Sequence, residues 1–363
     1  MHILKFTYYC RYLSLIFLFG WVACTQENYD VLSEGMDTDI PISWRVQSEQ
    51  GHEARALVDN SMLQTSCKES DGGSQESIGV WGEYTMNVGG QNETNEIFSA
   101  TPLTYSLQEE AYAWAYSGDP RYWRSQAVYN FRACYPQTLM ESLMTQMDAT
   151  VFQGGPINTM VLQKDILVSA IQVDTRTNNW SKVVPLDMQH VFAALKFKVK
   201  ADSGFTPSFD EGVTSCWLQN KTNASDLFSP SGYLLYSGNQ DSEIVWYTYE
   251  SSDAPMYLWK HKNLSFNEEN ILYTSNGGLD GEQYTHNDGW LLIVPQTVRP
   301  ETLQFCYTLN NAGNQVFSVN IPAVTYEHGQ MYTYLLQIRG SEVEVELSIT
   351  PWNLLKSSYD ITL

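Results

Sequence analysis

The sequence predicts an all-β protein built as two antiparallel β-sandwich domains in tandem, and three observations carry that reading. First, apolar residues recur with period two: Leu195, Phe197 and Val199 alternate with Lys196, Lys198 and Lys200, while Val343, Val345, Leu347 and Ile349 alternate with Glu342, Glu344, Glu346 and Ser348. Alternation of this kind describes strands with one wet face. Second, Tyr332, Tyr334, Leu336 and Ile338 line one side of a further run, and Arg339-Gly340-Ser341 joins it to the glutamate-bearing run as a hairpin connection would. Third, short apolar runs bounded by Gly, Pro, Asn, Asp or Ser recur along the whole chain. Strands buried on one side need a second sheet to cover them, which makes a sandwich.

The elements follow in order. Residues 1–11 carry Lys5 and Arg11 without an acid, and residues 12–23 form an apolar stretch ending at Ala23, just before Cys24. This is the plan of a secretory signal peptide, 1–23, and its apolar run falls short of the ~20 residues that a membrane-spanning helix needs. Strands are expected at Ile40–Val46, Ile78–Tyr84, Ala111–Tyr116, Ala127–Arg132 and Asp165–Val168. Leu139, Met140, Leu143, Met144 and Met147 have helical spacing, which predicts about two to three turns after Tyr135-Pro136. Asp71-Gly72-Gly73-Ser74 and Ser275–Gly281 read as loops, and Thr175–Asn179 as a polar joint. A boundary near residue 183 separates an N-terminal sandwich, 24–183, from a C-terminal one, 184–363. The second takes its strands from Leu195–Lys200, Glu243–Thr248, Leu291–Val294, Leu303–Thr308 and the closing hairpin, enough to predict that it folds alone.

Composition narrows the function. Lys and Arg number 20 against 41 Asp and Glu in 363 residues, a formal net charge of −21. Such a surface repels nucleic acid, so no nucleic-acid partner is expected. With 43% hydrophobic and only 17% charged residues, the chain can offset the ordering entropy of a packed fold. At the N-terminus two cleavage patterns compete, and Trp21 departs from both. Cys24 stands where a lipobox requires its cysteine, which predicts lipidation of the Cys24 thiol and a bacterial envelope lipoprotein, with plain secretion as the alternative. Cys67, Cys134, Cys216 and Cys306 have neither metal-ligand nor redox-motif spacing. Their three possible disulfide pairings stay open beside the reading of buried thiols acting as small hydrophobes.

The chemistry-bearing residues point away from an enzyme. His2, His52, His190, His261, His286 and His328 are scattered, with no pair at zinc-helix spacing, and no nucleophile elbow, phosphate loop or calcium loop is present. No catalytic residue, metal site or cofactor is expected. His190 shares the parity of Leu186 and Met188, which makes it a hydrogen-bonded core histidine. Tyr112, Trp114, Tyr116, Tyr122, Trp123 and Tyr129 could form a sugar-stacking platform, but cross-strand packing in a sandwich core accounts for them.

The segment Tyr122-Trp123-Arg124-Ser125-Gln126-Ala127-Val128-Tyr129-Asn130-Phe131-Arg132-Ala133-Cys134-Tyr135-Pro136 resembles the fimbrillin family of Bacteroidales, the Mfa-like type V pilin subunits. Arg124 stands where that family usually has Pro. Glu53-Ala54-Arg55-Ala56, Ile78–Tyr84, Val184–Val199 and Leu291-Leu292-Ile293-Val294-Pro295-Gln296 through Trp352 are similar to further family elements in the same order. The resemblance implies transthyretin-like sandwiches, export as an outer-membrane lipoprotein, arginine-directed trimming of the N-terminal strand, and polymerisation with other fimbrial subunits by strand exchange. It places the cut between Arg55 and Ala56. Arg45 is the second choice, because it lies inside a presumed strand. The leading expectation is thus a non-enzymatic fimbrial subunit at the cell surface, contributing to adhesion. The competing one is a lipid-tethered monomer that binds a glycan or host protein.

Overall fold

The computed structural model describes residues 37–48, 58–69, 76–108, 111–201, 213–221, 227–238, 243–249, 256–260, 290–309, 316–339 and 342–351. Cys24, Arg55, Ala56, the loops 71–74 and 275–281 and the hairpin tip at Gly340 lie outside them. In chain order the strands begin with β1 (Asp37–Pro41), β2 (Ser43–Ser48), β3 (Ile78–Val88), β4 (Gln91–Gln108), β5 (Ala111–Ala115), β6 (Tyr122–Arg124), β7 (Ala127–Tyr135) and β8 (Met144–Met147). Next come β9 (Val151–Asn158), β10 (Leu167–Asp174), β11 (Val183–His190), β12 (Ala193–Ala201), β13 (Val213–Asn220), β14 (Ser231–Ser237), β15 (Glu243–Tyr249) and β16 (Met256–Lys260). The last are β17 (Leu291–Ile293), β18 (Gln296–Val298), β19 (Leu303–Leu309), β20 (Val316–Asn320), β21 (Val324–Tyr326), β22 (Gln330–Arg339) and β23 (Glu342–Pro351). Among the described residues two short helices, α1 (Asn60–Ser66) and α2 (Gln137–Leu143), interrupt them. The protein is all-β.

A seven-stranded sheet, β2-β11-β10-β7-β3-β4-β5, dominates the first half, and β1 pairs with β6 beside it. The far edge, β5, comes back next to β2, so the sheet curls around the first core. That core takes Ile42 from the link between β1 and β2, Trp44 and Val46 from β2, Leu63 and Cys67 from the α1 region, Tyr129, Phe131, Ala133 and Tyr135 from β7, and Val184, Leu186 and Met188 from β11. In the second half, β17-β12-β22-β23 and β16-β13-β19-β20 enclose a second core around Phe197, Leu218, Phe305 and Tyr334. A third sheet, β15-β14-β9-β8, draws strands from both halves. It closes a third core with Trp81, Cys134 and Val168 from the outer face of the seven-stranded sheet, and Ala194, Leu292 and Met331 from the second half. β7 is therefore covered on both faces, which explains its nearly continuous burial.

One expectation needs correction. The helical run stops at Leu143, because Met144–Met147 pairs as a strand with Gly154–Phe152. Met144 packs over Gly154, where an added Cβ would sit 2.5 Å from the Met144 methyl. Two ladders, β2 with β11 and β12 with β22, are parallel. Their strands are far apart in sequence, so no hairpin dictates their direction. The strand Val183–His190 pairs with β10 and β2.

Candidate functional site

The fold concentrates its candidate site where the N-terminal strand is seated. From Ile42, just before β2, to Gln47 the period of two is strict: Ile42, Trp44 and Val46 are buried, while Ser43, Arg45 and Gln47 are exposed. The Trp44 ring meets Phe98 and Phe131 edge-on at 5.1 and 5.4 Å between centroids. Burying side chains of this kind contributes about 1.5–3 kcal/mol each, a sum comparable with the about 5–15 kcal/mol that stabilises a whole domain. Yet the strand has a single ladder, parallel to β11 from Val183 opposite Ser43 to Met188 opposite Ser48. β1 is held by a short irregular ladder to β6, with Asp37 opposite Arg124 and Pro41 opposite Tyr122. Between the two strands, the Ile42 N–H donates to the Arg121 carbonyl at 2.8 Å.

The chain is pinned again at Val58. Its N–H donates to Asp165 Oδ2 at 3.1 Å, and the same oxygen lies 2.9 Å from His190 Nδ1. Both side chains of that pair are almost without solvent contact, so they anchor the backbone and have no access to a substrate. Asp59 then caps α1 by accepting from the Met62 N–H at 2.8 Å, and Asn60 Oδ1 accepts from the Ser48 N–H. Ser48 and Asn60 thus tie together the two ends of the stretch that holds Arg55 and Ala56. Arg45, the competing cleavage site, is exposed inside β2 opposite Pro185.

The other candidates sort by burial. Trp114, Trp123 and Tyr129 are core residues, whereas Tyr112 and Tyr122 are 41% and 40% exposed. Cys67, Cys134 and Cys306 are buried free thiols. Burial, helped by Glu76, pushes Cys67 up to about 12, and burial alone pushes Cys306 up to about 11, far from thiolate reactivity. Among the described residues no group of three or more His, Cys, Asp or Glu could hold a metal ion, and no helix is long and apolar enough to cross a membrane.

The fimbrillin-like family matches residues 65–352. The chain belongs to that family. A fimbrial protein from Bacteroides vulgatus ATCC 8482 is 14% identical, covering 85% of this chain and 99% of its own, with a TM-score of 0.51. A protein from Bacteroides ovatus ATCC 8483, described as a cell adhesion protein, is 12% identical over 87% and 98%, with a TM-score of 0.50. These likenesses bear on the fold. No curated protein matches the sequence. In this fimbrillin-like chain the Arg124 N–H donates to Tyr129 Oη at 2.6 Å, a bond that proline in its place could not make. Sequence reasoning did not find Asp165, because no periodicity links it to Val58 or His190.

Proposed function

We propose that this fimbrillin-like protein is a structural, non-enzymatic subunit of a bacterial surface fimbrium that works without a cofactor. It is exported as an outer-membrane lipoprotein through Cys24, trimmed between Arg55 and Ala56, and joined to neighbouring subunits by strand exchange, so contributing to adhesion. The observation that supports this reading is β2 with the residue that leads into it: a segment with three core side chains, Ile42, Trp44 and Val46, and one ladder, placed N-terminal to the Arg55 stretch. A cut after Arg55 releases the lipid anchor and this strand together. Release leaves β11 with an unpaired edge and opens an apolar groove, which a strand from another subunit can fill.

The test is to isolate surface filaments, sequence the N-terminus of this subunit and repeat with Arg55→Ala. An N-terminus at Ala56, and loss of polymer in the variant, are expected. A polymerised subunit that begins at Cys24, or unchanged polymer from the variant, overturns the mechanism. Electron microscopy of the same material separates a fimbrial subunit from a lipid-tethered monomer, because only the former predicts filaments that contain this chain. Cys24→Ser is expected to abolish labelling by a fatty-acid analogue, and retained label counts against the anchor.

A further inference from the structure

Tyr84, Glu96, Ile97, Arg121, Tyr122 and Arg124 line an open recess of about 290 Å³ beside β6. Two guanidinium groups converge there in a chain whose net charge is −21. Both are held in place. The Arg121 Cζ lies 4.3 Å from the Phe98 ring centre and 5.5 Å from that of Tyr116, and its Nη1 donates to the Ile97 carbonyl and, at 3.4 Å, to Thr101 Oγ1. Those bonds use one arm of the fork and leave Nε and Nη2 outside them. The Arg124 Cζ sits 5.3 Å from the ring centre of Tyr84, and Tyr84 is itself packed on Tyr129. Guanidiniums fixed over aromatic rings lose little further entropy on binding, and their planar forks match a carboxylate.

The rest of the lining limits the ligand to one class. Glu96 is exposed; as an acceptor it suits hydroxyl donors and repels a second negative charge. Tyr122, 40% exposed at the rim, offers a ring face and a phenolic hydroxyl. The volume lies at the lower end of the roughly 300–1,000 Å³ typical of ligand sites, which suits one ring. One anion, several hydroxyls and one apolar face within a single-ring volume describe a sugar acid. An acidic peptide brings few hydroxyls, more than one negative charge against Glu96, and an extended backbone that a recess this small does not hold.

We infer that this recess binds a single sugar ring bearing a carboxylate, of the hexuronate or sialic acid type. The inference stands apart from strand exchange, because a recess lined from β3, β4 and β6 is present in the full, uncut chain. Methyl β-D-glucuronide and N-acetylneuraminic acid are titrated into the purified full chain by calorimetry and saturation-transfer NMR, with methyl β-D-glucoside and a tetraglutamate peptide in parallel. At least one acid is expected to bind saturably and to weaken as salt is raised, with the glucoside about tenfold or more weaker. Arg124→Gln is expected to cost about tenfold or more in affinity, and Tyr122→Ala, at the exposed rim, to weaken binding without changing the melting temperature. Equal binding of the glucoside, no saturation by either acid, tighter binding of the peptide, or full affinity in both variants overturns the assignment. None of these outcomes bears on polymer formation, so the two readings fail separately.

Discussion

Trp44 is the side chain on which the seat of the N-terminal strand most depends, since it is the largest of the three that β2 buries and its ring is walled by Phe98 and Phe131. Trp44→Ala is expected to lower the unfolding free energy of the full chain by about 3–5 kcal/mol, read from the denaturant midpoint at unchanged slope. A loss below about 1 kcal/mol would mean that the strand is loosely seated. His328 gives a pH signature. Burial lowers its pKa, against opposing pulls from the His190 backbone, Glu327 and Glu243. Its folded pKa therefore lies below its unfolded one, so its contribution is complete above about pH 6.5 and is lost as the pH falls through the folded value. Melting temperatures between pH 7.5 and 5 should fall more for the native chain than for His328→Gln, and parallel curves would count against this origin. Some of this was legible in sequence. The parity of His190 with Leu186 and Met188 placed it in the core, but its partner Asp165 is met through the fold and not through any local pattern. Arg121 and Glu96 were equally hidden, because a recess assembled from three strands leaves no spacing behind.

At the level of elements, strands that keep a period of two are readable and strands that depart from it are not. Residues 43–46, 78–84, 127–132 and 332–338 are strands, as their alternation predicts. β4, the long strand Gln91–Gln108, begins with six exposed residues from Gln91 to Glu96, and polar residues in sequence show no inside face. Its signal was the turn before it: Gly89 and Gly90 both take positive φ, 61° and 87°, the backbone that a two-residue hairpin loop requires. The methionine-rich run carries helical spacing through Met147, yet only its first part is a helix, because a core that approaches from one side is satisfied by period 3.6 as well. β2 makes the strongest prediction at this scale. A chain that begins at Ala56 lacks Ile42, Trp44 and Val46, so it is expected to bind a hydrophobic dye and to self-associate. An excess of a synthetic peptide spanning residues 37–48 should restore a monomer and raise the melting temperature, as any ligand of the native state does. A peptide in which Trp44 is replaced by Asp should do neither. If the truncated chain stays monomeric and as stable as the full one, β2 is dispensable and strand exchange loses its driving force.

The whole molecule differs from a pair of independent sandwiches in one respect that the sequence did not disclose. Its third sheet takes β8 and β9 from the first half and β14 and β15 from the second, with Ser231–Ser237 laddered to Asn158–Val151. Alternation in these strands predicts a buried face but not which strand covers it, and partners some 80 residues apart leave no local trace. Side chains reinforce the join. Gln163 accepts from the Leu292 N–H at 2.8 Å and donates back to the Leu292 carbonyl at 3.0 Å, and the buried Arg132 reaches the Gly238 carbonyl. Residues 191–363 keep the second core intact, so as a fragment they should retain strand-rich circular dichroism. They would, however, expose the β14 edge and half of the third core. The fragment is therefore expected to melt below the full chain, by about 6–12 °C if the lost contacts amount to about 3 kcal/mol. Co-expressed with 24–190, it should bind its complement and recover the difference, because the ladder and the core can re-form between separate chains. A tagged 191–363 that melts with the full chain and retains none of the 24–190 fragment on a column would show the halves to be independent, and the shared sheet to be incidental to stability.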